Sequence, residues 1–212
     1  MREYPSIQTV WKRDPSDKHR TLLEGQWATP ELEYLKDNEW VFTEKVDGTN
    51  IRVMWDSEQV RFGGRTDNAQ MPTFLLAKLQ DMFPAEKLAE CFDDGPVCLY
   101  GEGYGARIQK GGGDYIPDGA SFILFDVLIG GWWLRREDVE GIAERLGIDV
   151  VPIVDTGPLE KAVGMVRHGQ ESALRPGWAE GLVMKPVVDL WGRDGKRIVA
   201  KVKHKDFRFG QT

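Results

Sequence analysis

The sequence has few of the residues that build disulfides and metal sites. Its 212 residues include two cysteines, Cys91 and Cys98, and three histidines. The cysteines do not form a CxxC pair, and the histidines are too scattered along the chain to indicate a metal site. So few cysteines exclude a disulfide-rich secreted domain. We interpret them as buried thiols of a protein that stays reduced in the cytoplasm.

The chain also lacks long apolar segments. No run approaches the roughly 20 residues that a membrane-spanning helix needs, and the N-terminal residues lack the apolar core of a signal peptide. Hydrophobic residues make up 41% and charged residues 29%, which is typical of a soluble globular protein and not of a disordered one. The length predicts one compact domain, or two tightly joined lobes.

An excess of positive charge is missing as well. The net charge is -6, which by itself argues against a nucleic-acid partner. The charge is unevenly spread, however, since the last twenty residues hold seven lysines and arginines against two aspartates. A local basic face and a solvated tail are both compatible with this run. The basic residues are Arg193, Lys196, Arg197, Lys201, Lys203, Lys205 and Arg208.

The spacing of hydrophobic residues predicts many strands broken by a few helices. Thr29 followed by Pro30 predicts the start of a short helix. This mixture predicts an α+β fold of mostly antiparallel sheets flanked by helices. Strands are predicted at 40–45, 51–55, 60–62, 97–101, 122–128, 132–134, 181–185 and 198–203, and helices near 73–82, 85–92, 139–146 and 159–166.

The strongest chemical signal is the segment from Glu44 to Asn50, in which Lys45 closes a predicted strand and a glycine turn follows. A lysine acts as a nucleophile only after losing its proton, which neighbouring positive charge or burial can promote. The alternative interpretation is a hairpin turn that carries a surface lysine. The sequence K-V-D-G-T-N at 45–50 resembles the KxDGxN motif of the covalent nucleotidyltransferases. That superfamily contains DNA ligases, RNA ligases and mRNA-capping guanylyltransferases.

Further motifs follow in the order of that superfamily, so the resemblance spans nearly the whole chain. Asn50, at the last position of the motif, resembles the asparagine that RNA ligases have there, whereas DNA ligases usually have arginine. Arg65 resembles the arginine that contacts phosphate or the nucleic-acid end, as a guanidinium fork can. Glu102, in Gly101-Glu102-Gly103, resembles the glutamate that binds the AMP ribose. Phe122 resembles the phenylalanine that stacks on adenine, although its alternation with Leu124 also fits a core strand.

The C-terminal part of the chain completes the motif set. Glu180 begins Glu-Gly-Leu-Val-Met-Lys, which resembles the EGxVxK motif whose glutamate helps to hold a divalent metal. Lys201 and Lys203 resemble the closing KxK motif, and their alternation puts them on one face of a strand. The resemblance implies catalytic roles for Lys45, Asp47, Lys201 and Lys203, nucleotide contacts for Glu44, Asn50, Arg65, Glu102, Phe122 and Lys185, and a metal contact for Glu180.

The resemblance implies an ATP-dependent RNA ligase with a nucleotidyltransferase domain of the ATP-grasp-like ligase type. Its cofactors would be ATP and Mg²⁺ or Mn²⁺, and its partners RNA ends or a nicked duplex of RNA or RNA and DNA. The segment from Arg107 to Gly111 is similar to phage-type RNA ligases. We expect a cytoplasmic enzyme, in the host cytoplasm if it is phage-encoded.

The chain ends nine residues after Lys203, so we expect a single adenylyltransferase domain, residues 1–212, without a C-terminal accessory domain. A stand-alone ligase, a catalytic fragment and a component of a larger assembly all fit that expectation. Three functional alternatives stay open at this point. They are a DNA ligase or another nick-sealing ligase, a capping guanylyltransferase, and a non-catalytic module that binds nucleotides or nucleic-acid ends.

Overall fold

The computed structural model describes residues 2–93 and 95–210, with side chains up to Phe207. The side chain of Arg208 therefore lies outside the described residues. The strands are β1 (Gln8–Thr9), β2 (Trp11–Arg13), β3 (Leu22–Trp27), β4 (Trp40–Lys45), β5 (Thr49–Trp55), β6 (Val60–Gly63), β7 (Val97–Gly105), β8 (Ala120–Ile129), β9 (Trp132–Trp133), β10 (Asp149–Val150), β11 (Ile153–Gly157), β12 (Gly181–Pro186) and β13 (Ala200–Lys203). The α-helices are α1 (Pro30–Leu35), α2 (Thr73–Met82), α3 (Ala85–Cys91), α4 (Gly112–Tyr115), α5 (Arg136–Leu146) and α6 (Leu159–His168). Two 3₁₀ helices are η1 (Pro15–Asp17) and η2 (His204–Gly210).

The chain divides into two compact units. Unit 1 consists of residues 1–4 and 47–151, and unit 2 of residues 5–46 and 152–212. The boundary after residue 46 separates Lys45 from Asp47, so the 45–50 motif contributes residues to both units.

Unit 1 contains a sheet in the order β10-β8-β7-β5-β6, with β9 paired to β8. All neighbours are antiparallel except β10 and β8. Helices α2 and α5 contact β8 and cover an apolar face of the sheet, which buries apolar area and stabilises the unit. Its core includes Leu75, Leu79, Phe83, Phe122 and Ile142.

Unit 2 contains a second sheet in the order β1-β13-β12-β4-β11, and a separate hairpin of β2 and β3. Only the β1–β13 pairing in the five-stranded sheet is parallel. Helix α6 contacts β12 and β13 through residues such as Leu159, Val163 and Val166, which share a core with Phe42 and Leu182. The opposite face of β4, β12 and β13 is therefore free to carry polar residues.

The expected α+β class with mostly antiparallel sheets is confirmed. Thr29 caps α1 by accepting a hydrogen bond from the backbone of Leu32 at 3.3 Å. Gly147 ends α5 in the left-handed conformation, with φ of 57°, where glycine is tolerated without steric cost. Within the described ranges, no helix is long and apolar enough to cross a membrane.

Candidate active site

Three neighbouring strands of unit 2 place lysines on one face of the sheet. In β12, Gly181 lies opposite Lys45 of β4 on one side and opposite Lys203 of β13 on the other. Val183 lies opposite Lys201. Residues directly opposite one another share a face, and alternate residues along a strand do too. Lys45, Lys201 and Lys203 therefore share the face that also carries Lys185 of β12.

Glu180, just before β12, connects two of these lysines. Its Oε2 accepts a hydrogen bond from Lys45 Nζ at 2.5 Å, and its Oε1 accepts one from Lys203 Nζ at 2.6 Å. Burial of the carboxyl group would raise its pKa, but the charges and hydrogen bonds of Lys45 and Lys203 outweigh burial and lower it. Glu180 is therefore ionised at neutral pH and holds two ammonium groups side by side.

Lys201 lies beside this pair without an ion-pair partner among the described residues. It is half-buried, and burial together with the positive charges of Lys203, Lys45 and Arg13 lowers its pKa. A half-buried cation among other cations is a favourable partner for an anion with several charged oxygens, such as a phosphate. This confirms the same-face placement of Lys201 and Lys203, whereas their catalytic roles stay predictions.

Glu44 occupies the other face of β4. It is 2% exposed, its Oε1 accepts a hydrogen bond from Ser172 Oγ at 2.5 Å, and its Oε2 accepts one from the backbone of Ala173 at 2.8 Å. The carboxylate thus anchors the segment 170–179 that follows α6. These bonds assign Glu44 a structural role, and the nucleotide contact expected from the sequence stays a prediction without support from the geometry.

In unit 1, the turn that begins β5 is held against β7 and the loop after it. The backbone of Asp47 donates a hydrogen bond to Tyr115 Oη at 3.2 Å, and Gln109 Nε2 donates one to the carbonyl oxygen of Gly48 at 3.0 Å. A Cβ at Gly48 would lie 2.3 Å from the carbonyl oxygen of Gly103 and 2.8 Å from Cγ of Glu102. Only glycine fits there, so Glu102 lies directly against the turn.

Asn50 and Glu102 are opposite one another on β5 and β7, so they share a face of the unit 1 sheet. Both are half-buried. The carboxamide oxygen of Asn50 is buried and accepts no hydrogen bond from the described residues. The two polar residues expected at the nucleotide are therefore neighbours in this unit.

Phe122 faces the other way, which contradicts its expected role in stacking on adenine. It lies opposite Gly103, on the face that carries Ile51 and Leu124 and packs under the helices. Its side chain is 0% exposed, and its ring meets that of Phe83 edge-on at 5.2 Å. A ring with no exposed surface cannot offer a face to a base, so the core-strand interpretation of this residue is the one that the structure supports.

Phe125, three residues further along β8, is an aromatic ring that the sequence analysis did not assign to the nucleotide. The pairing of β7 and β8 shifts register at this residue, because Tyr100 pairs with Asp126 and Gly101 with Leu124. Phe125 is half-buried and packs against Tyr4 at 5.0 Å between ring centroids. Tyr4 in turn donates a hydrogen bond to Asp126 at 2.6 Å. The bulge thus leaves the ring of Phe125 partly accessible, beside the strand β7 that carries Glu102. The alternation of residues along β8 did not predict this placement.

Arg65 is exposed on the loop after β6, and a second arginine holds that loop. Arg52 is fully buried; its Nε donates to the carbonyl oxygen of Gly64 at 2.7 Å, and its Nη2 binds Asp67 at 2.7 Å. These contacts flank Arg65 on both sides in sequence. Arg52 is therefore a positioning residue that the sequence analysis missed, since a β-strand arginine gives no signal of burial.

The described residues fit a metal ion that is coordinated mostly by phosphate oxygens and water. They contain no group of three or more histidine, cysteine, aspartate or glutamate side chains arranged to hold an ion. In unit 2 the carboxylate among the lysines is Glu180, which already binds two ammonium groups. Magnesium often takes one or two carboxylates and completes its shell with phosphate oxygens and water. Glu180 would supply that one contact to an ion bound with nucleotide phosphates.

Comparison with known proteins identifies the family of this chain. The family model for RNA ligase matches residues 38–203, a range that includes every residue expected at the site. The chain belongs to the RNA ligase family. A search of curated protein sequences gives no match.

Solved structures of an RNA ligase from Naegleria gruberi share the fold of this family member. The ligase with PPi has 21% sequence identity and a TM-score of 0.65, covering 95% of this chain and 57% of that one. A point mutant with ATP and Mn has 21% identity and a TM-score of 0.66, covering 96% and 59%. Another mutant with AMP and Mn has 20% identity and a TM-score of 0.65, covering 95% and 57%. This RNA ligase family chain thus spans a little under three fifths of the length of those proteins.

Proposed function

We propose that the chain is an ATP-dependent RNA ligase that works through a lysyl-AMP intermediate on Lys45. The observation that carries this proposal is the set of Lys45, Glu180, Lys201 and Lys203 on one sheet face, with Glu180 bonded to two of the lysines. Membership of the RNA ligase family and the order of the motifs support it.

In the first step, Nζ of Lys45 attacks the α-phosphorus of ATP, a P–N bond forms, and the bond to pyrophosphate breaks. The amine must lose a proton to attack, and Glu180 Oε2 at 2.5 Å is the oxygen placed to receive it. Lys201 and Lys203 would bind the phosphoryl oxygens and stabilise the charge that develops on them. A divalent metal, when bound, would neutralise phosphate charge.

In the second step, AMP passes from Lys45 to a 5′-phosphate end and restores the free lysine. In the third, a 3′-hydroxyl attacks that activated phosphate, forms the phosphodiester and releases AMP. Covalent catalysis divides one difficult condensation into easier transfers. The nucleotide contacts expected of Asn50, Arg65 and Glu102 stay predictions. On the evidence of burial, Phe125 would replace Phe122 as the residue that stacks on the base.

The proposal is tested by incubating the protein with ATP, Mg²⁺ and RNA that carries a 5′-phosphate and a 3′-hydroxyl. We expect longer or circular RNA whose former 5′-phosphate resists phosphatase, together with an AMP-capped intermediate. Lys45→Ala serves as the matched control and should give neither product. A protein adduct with GTP instead of ATP would indicate a capping enzyme, and no adduct with either nucleotide would indicate a binding module.

We further propose RNA termini in preference to DNA, because Asn50 is typical of RNA ligases. The experiment is a competition between nicked duplexes that differ only in ribose or deoxyribose at the terminal 3′-side nucleotides. Faster sealing of the ribose nick is expected. Equal rates, or faster sealing of the all-DNA nick, would assign the enzyme to the DNA ligases.

A further inference from the structure

Unit 2 contains a basic cavity of about 550 Å³ whose lining includes Lys201 and Lys203. One wall comes from the β2–β3 hairpin and the other from β13 and η2, and β1 with the preceding Ile7 completes the lining. The family model begins at residue 38, so the hairpin wall and Lys205 lie outside the range that it matches. The basic residues that line the cavity are Arg13, His19, Arg20, Lys201, Lys203 and Lys205.

The cavity has more positive charge than its own acidic groups can neutralise. Its one lining carboxylate is Asp206, which is buried and binds Arg13 at 2.7 Å. Lys203 is bound to Glu180. Across the described ranges, Arg20, Lys201 and Lys205 have no ion-pair partner. Three cations without an ion-pair partner in one concavity, on a chain with a net charge of -6, mark a binding site for an anion.

The hairpin wall is fixed before any ligand arrives. Arg13 Nη1 donates to the carbonyl oxygens of His19 at 3.3 Å and Arg20 at 3.1 Å, while its Nη2 binds Asp206. Asp17 accepts hydrogen bonds from the backbone of Arg20 and Thr21 at 2.8 and 2.9 Å. A loop held in this way loses little conformational entropy when it binds a ligand.

The Asp206 carboxylate joins the two walls. Besides Arg13, it accepts a hydrogen bond from the backbone of Lys203 at 3.0 Å. The hairpin is thus connected through a single side chain to the strand that carries the catalytic lysines. A ligand that contacts the hairpin is held in register with Lys201 and Lys203.

We propose that this cavity binds backbone phosphates of the RNA strand next to its reacting end, with Arg20 and Lys205 as contacts outside the cluster of Lys45, Lys201 and Lys203. The inference rests on the proposed ligase function and extends it to the RNA-binding surface. Arg20 and Lys205 are exposed, so they form an open basic rim. A strand can continue past such a rim, whereas small-molecule pockets enclose most of their ligand.

The test compares the double variant Arg20→Ala/Lys205→Ala with wild type and with Lys12→Ala. Lys12 is exposed on the same hairpin but does not line the cavity. Binding of a fluorescent 5′-phosphorylated RNA is measured by anisotropy over a range of salt concentrations, as a single strand and in a nicked duplex. Lysyl-AMP formation is measured separately as a function of ATP concentration, without RNA. Thermal unfolding checks that each variant is folded, and Arg20→Lys/Lys205→Arg tests whether charge alone restores binding.

We expect the double variant to bind RNA about tenfold more weakly at moderate salt, and the slope of log affinity against log salt to fall by about 0.7 for each lost contact with a single strand. Lysyl-AMP formation should keep its ATP dependence, and Lys12→Ala should match wild type. Unchanged RNA binding in the double variant would overturn the inference. A higher ATP requirement would also overturn it and assign the cavity to the ATP phosphates. Failure of the wild type to form lysyl-AMP would instead refute the proposed function.

Discussion

Lys45 and Lys203 donate hydrogen bonds to opposite oxygens of the Glu180 carboxylate, at 2.5 and 2.6 Å. The two lysines come from strands that lie on either side of β12, and both contact this carboxylate. Glu180 therefore holds Lys45, the proposed nucleophile, beside Lys203, a proposed phosphate-binding residue. Two predictions concern this arrangement, and two more concern residues of unit 1.

Glu180→Gln should slow lysyl-AMP formation by about a hundredfold or more, in the range of general-base effects. The amide keeps one accepting oxygen, so it cannot hold both lysines or receive a proton. The measurement is the single-turnover rate of the AMP mass shift. Glu24→Gln is the matched control, because Glu24 forms an exposed ion pair with Arg167 in the same unit. A wild-type rate in Glu180→Gln would mean that the carboxylate only organises the surface.

The pH dependence of ATP binding should report Lys201. Its pKa is lowered from the ordinary 10.5, and a lysine is charged only below its pKa. As pH rises, Lys201 therefore loses its charge before an ordinary lysine does, and affinity for a non-hydrolysable ATP analogue should fall on the alkaline side. Lys201→Arg, which stays charged throughout, should extend binding to higher pH. Lys196→Arg, at an exposed position, should leave the profile as it is; identical profiles for all three proteins would contradict the assignment.

Phe122 and Phe125 should separate stability from nucleotide binding. Phe122→Ala leaves a cavity in the unit 1 core and should lower the free energy of unfolding by about 3–5 kcal/mol. Phe125→Ala should cost less stability but raise the ATP concentration for half-maximal adenylylation about tenfold, the loss expected for a stacking ring. Denaturant unfolding and adenylylation kinetics measure the two effects. If the ATP requirement rises in Phe122→Ala at a temperature where it is folded, and stays normal in Phe125→Ala, the sequence-based assignment is restored.

Arg52→Ala should destabilise unit 1 by about 3 kcal/mol, because it removes a fully buried side chain and leaves the carbonyl oxygen of Gly64 without its donor. The loop that carries Arg65 should loosen as well, which hydrogen exchange can detect. Arg61→Ala is the control, since Arg61 lies on the adjacent strand β6 and forms a half-exposed pair with Asp56. Its loss should change stability by less than about 1 kcal/mol. Equal effects of the two substitutions would mean that Arg52 does not stabilise the loop that carries Arg65.

Local sequence signals predicted much of this fold. The Thr29-Pro30 cap, the glycine that ends α5 and the shared face of Lys201 and Lys203 all depend on residues a few positions apart. Such signals act within one element, and their physics does not depend on topology. The strands that carry the motif residues were found for the same reason.

Properties set by distant parts of the chain were not predictable. Phe122 and Phe125 lie on the same strand, but the helices that cover one face of the sheet decide which ring is buried. The bulge at Phe125 shifts the register of β8 against β7, and no local sequence pattern predicts it. Likewise, β4 and β5 are consecutive but pair in different sheets, and the short β2–β3 hairpin gave no strand pattern. The contact of Glu180 with Lys45 joins residues 135 positions apart.

The most direct test of the whole account is the mass of the protein after incubation with ATP and Mg²⁺. The account predicts an added AMP, which peptide mapping places on Lys45 and which pyrophosphate removes. Lys45→Ala should stay folded and carry no AMP, whereas Lys12→Ala, which alters an exposed lysine of the same unit, should keep an adduct on Lys45. No adduct on the wild type, or an adduct that persists in Lys45→Ala, would contradict the assignment of Lys45 as the nucleophile.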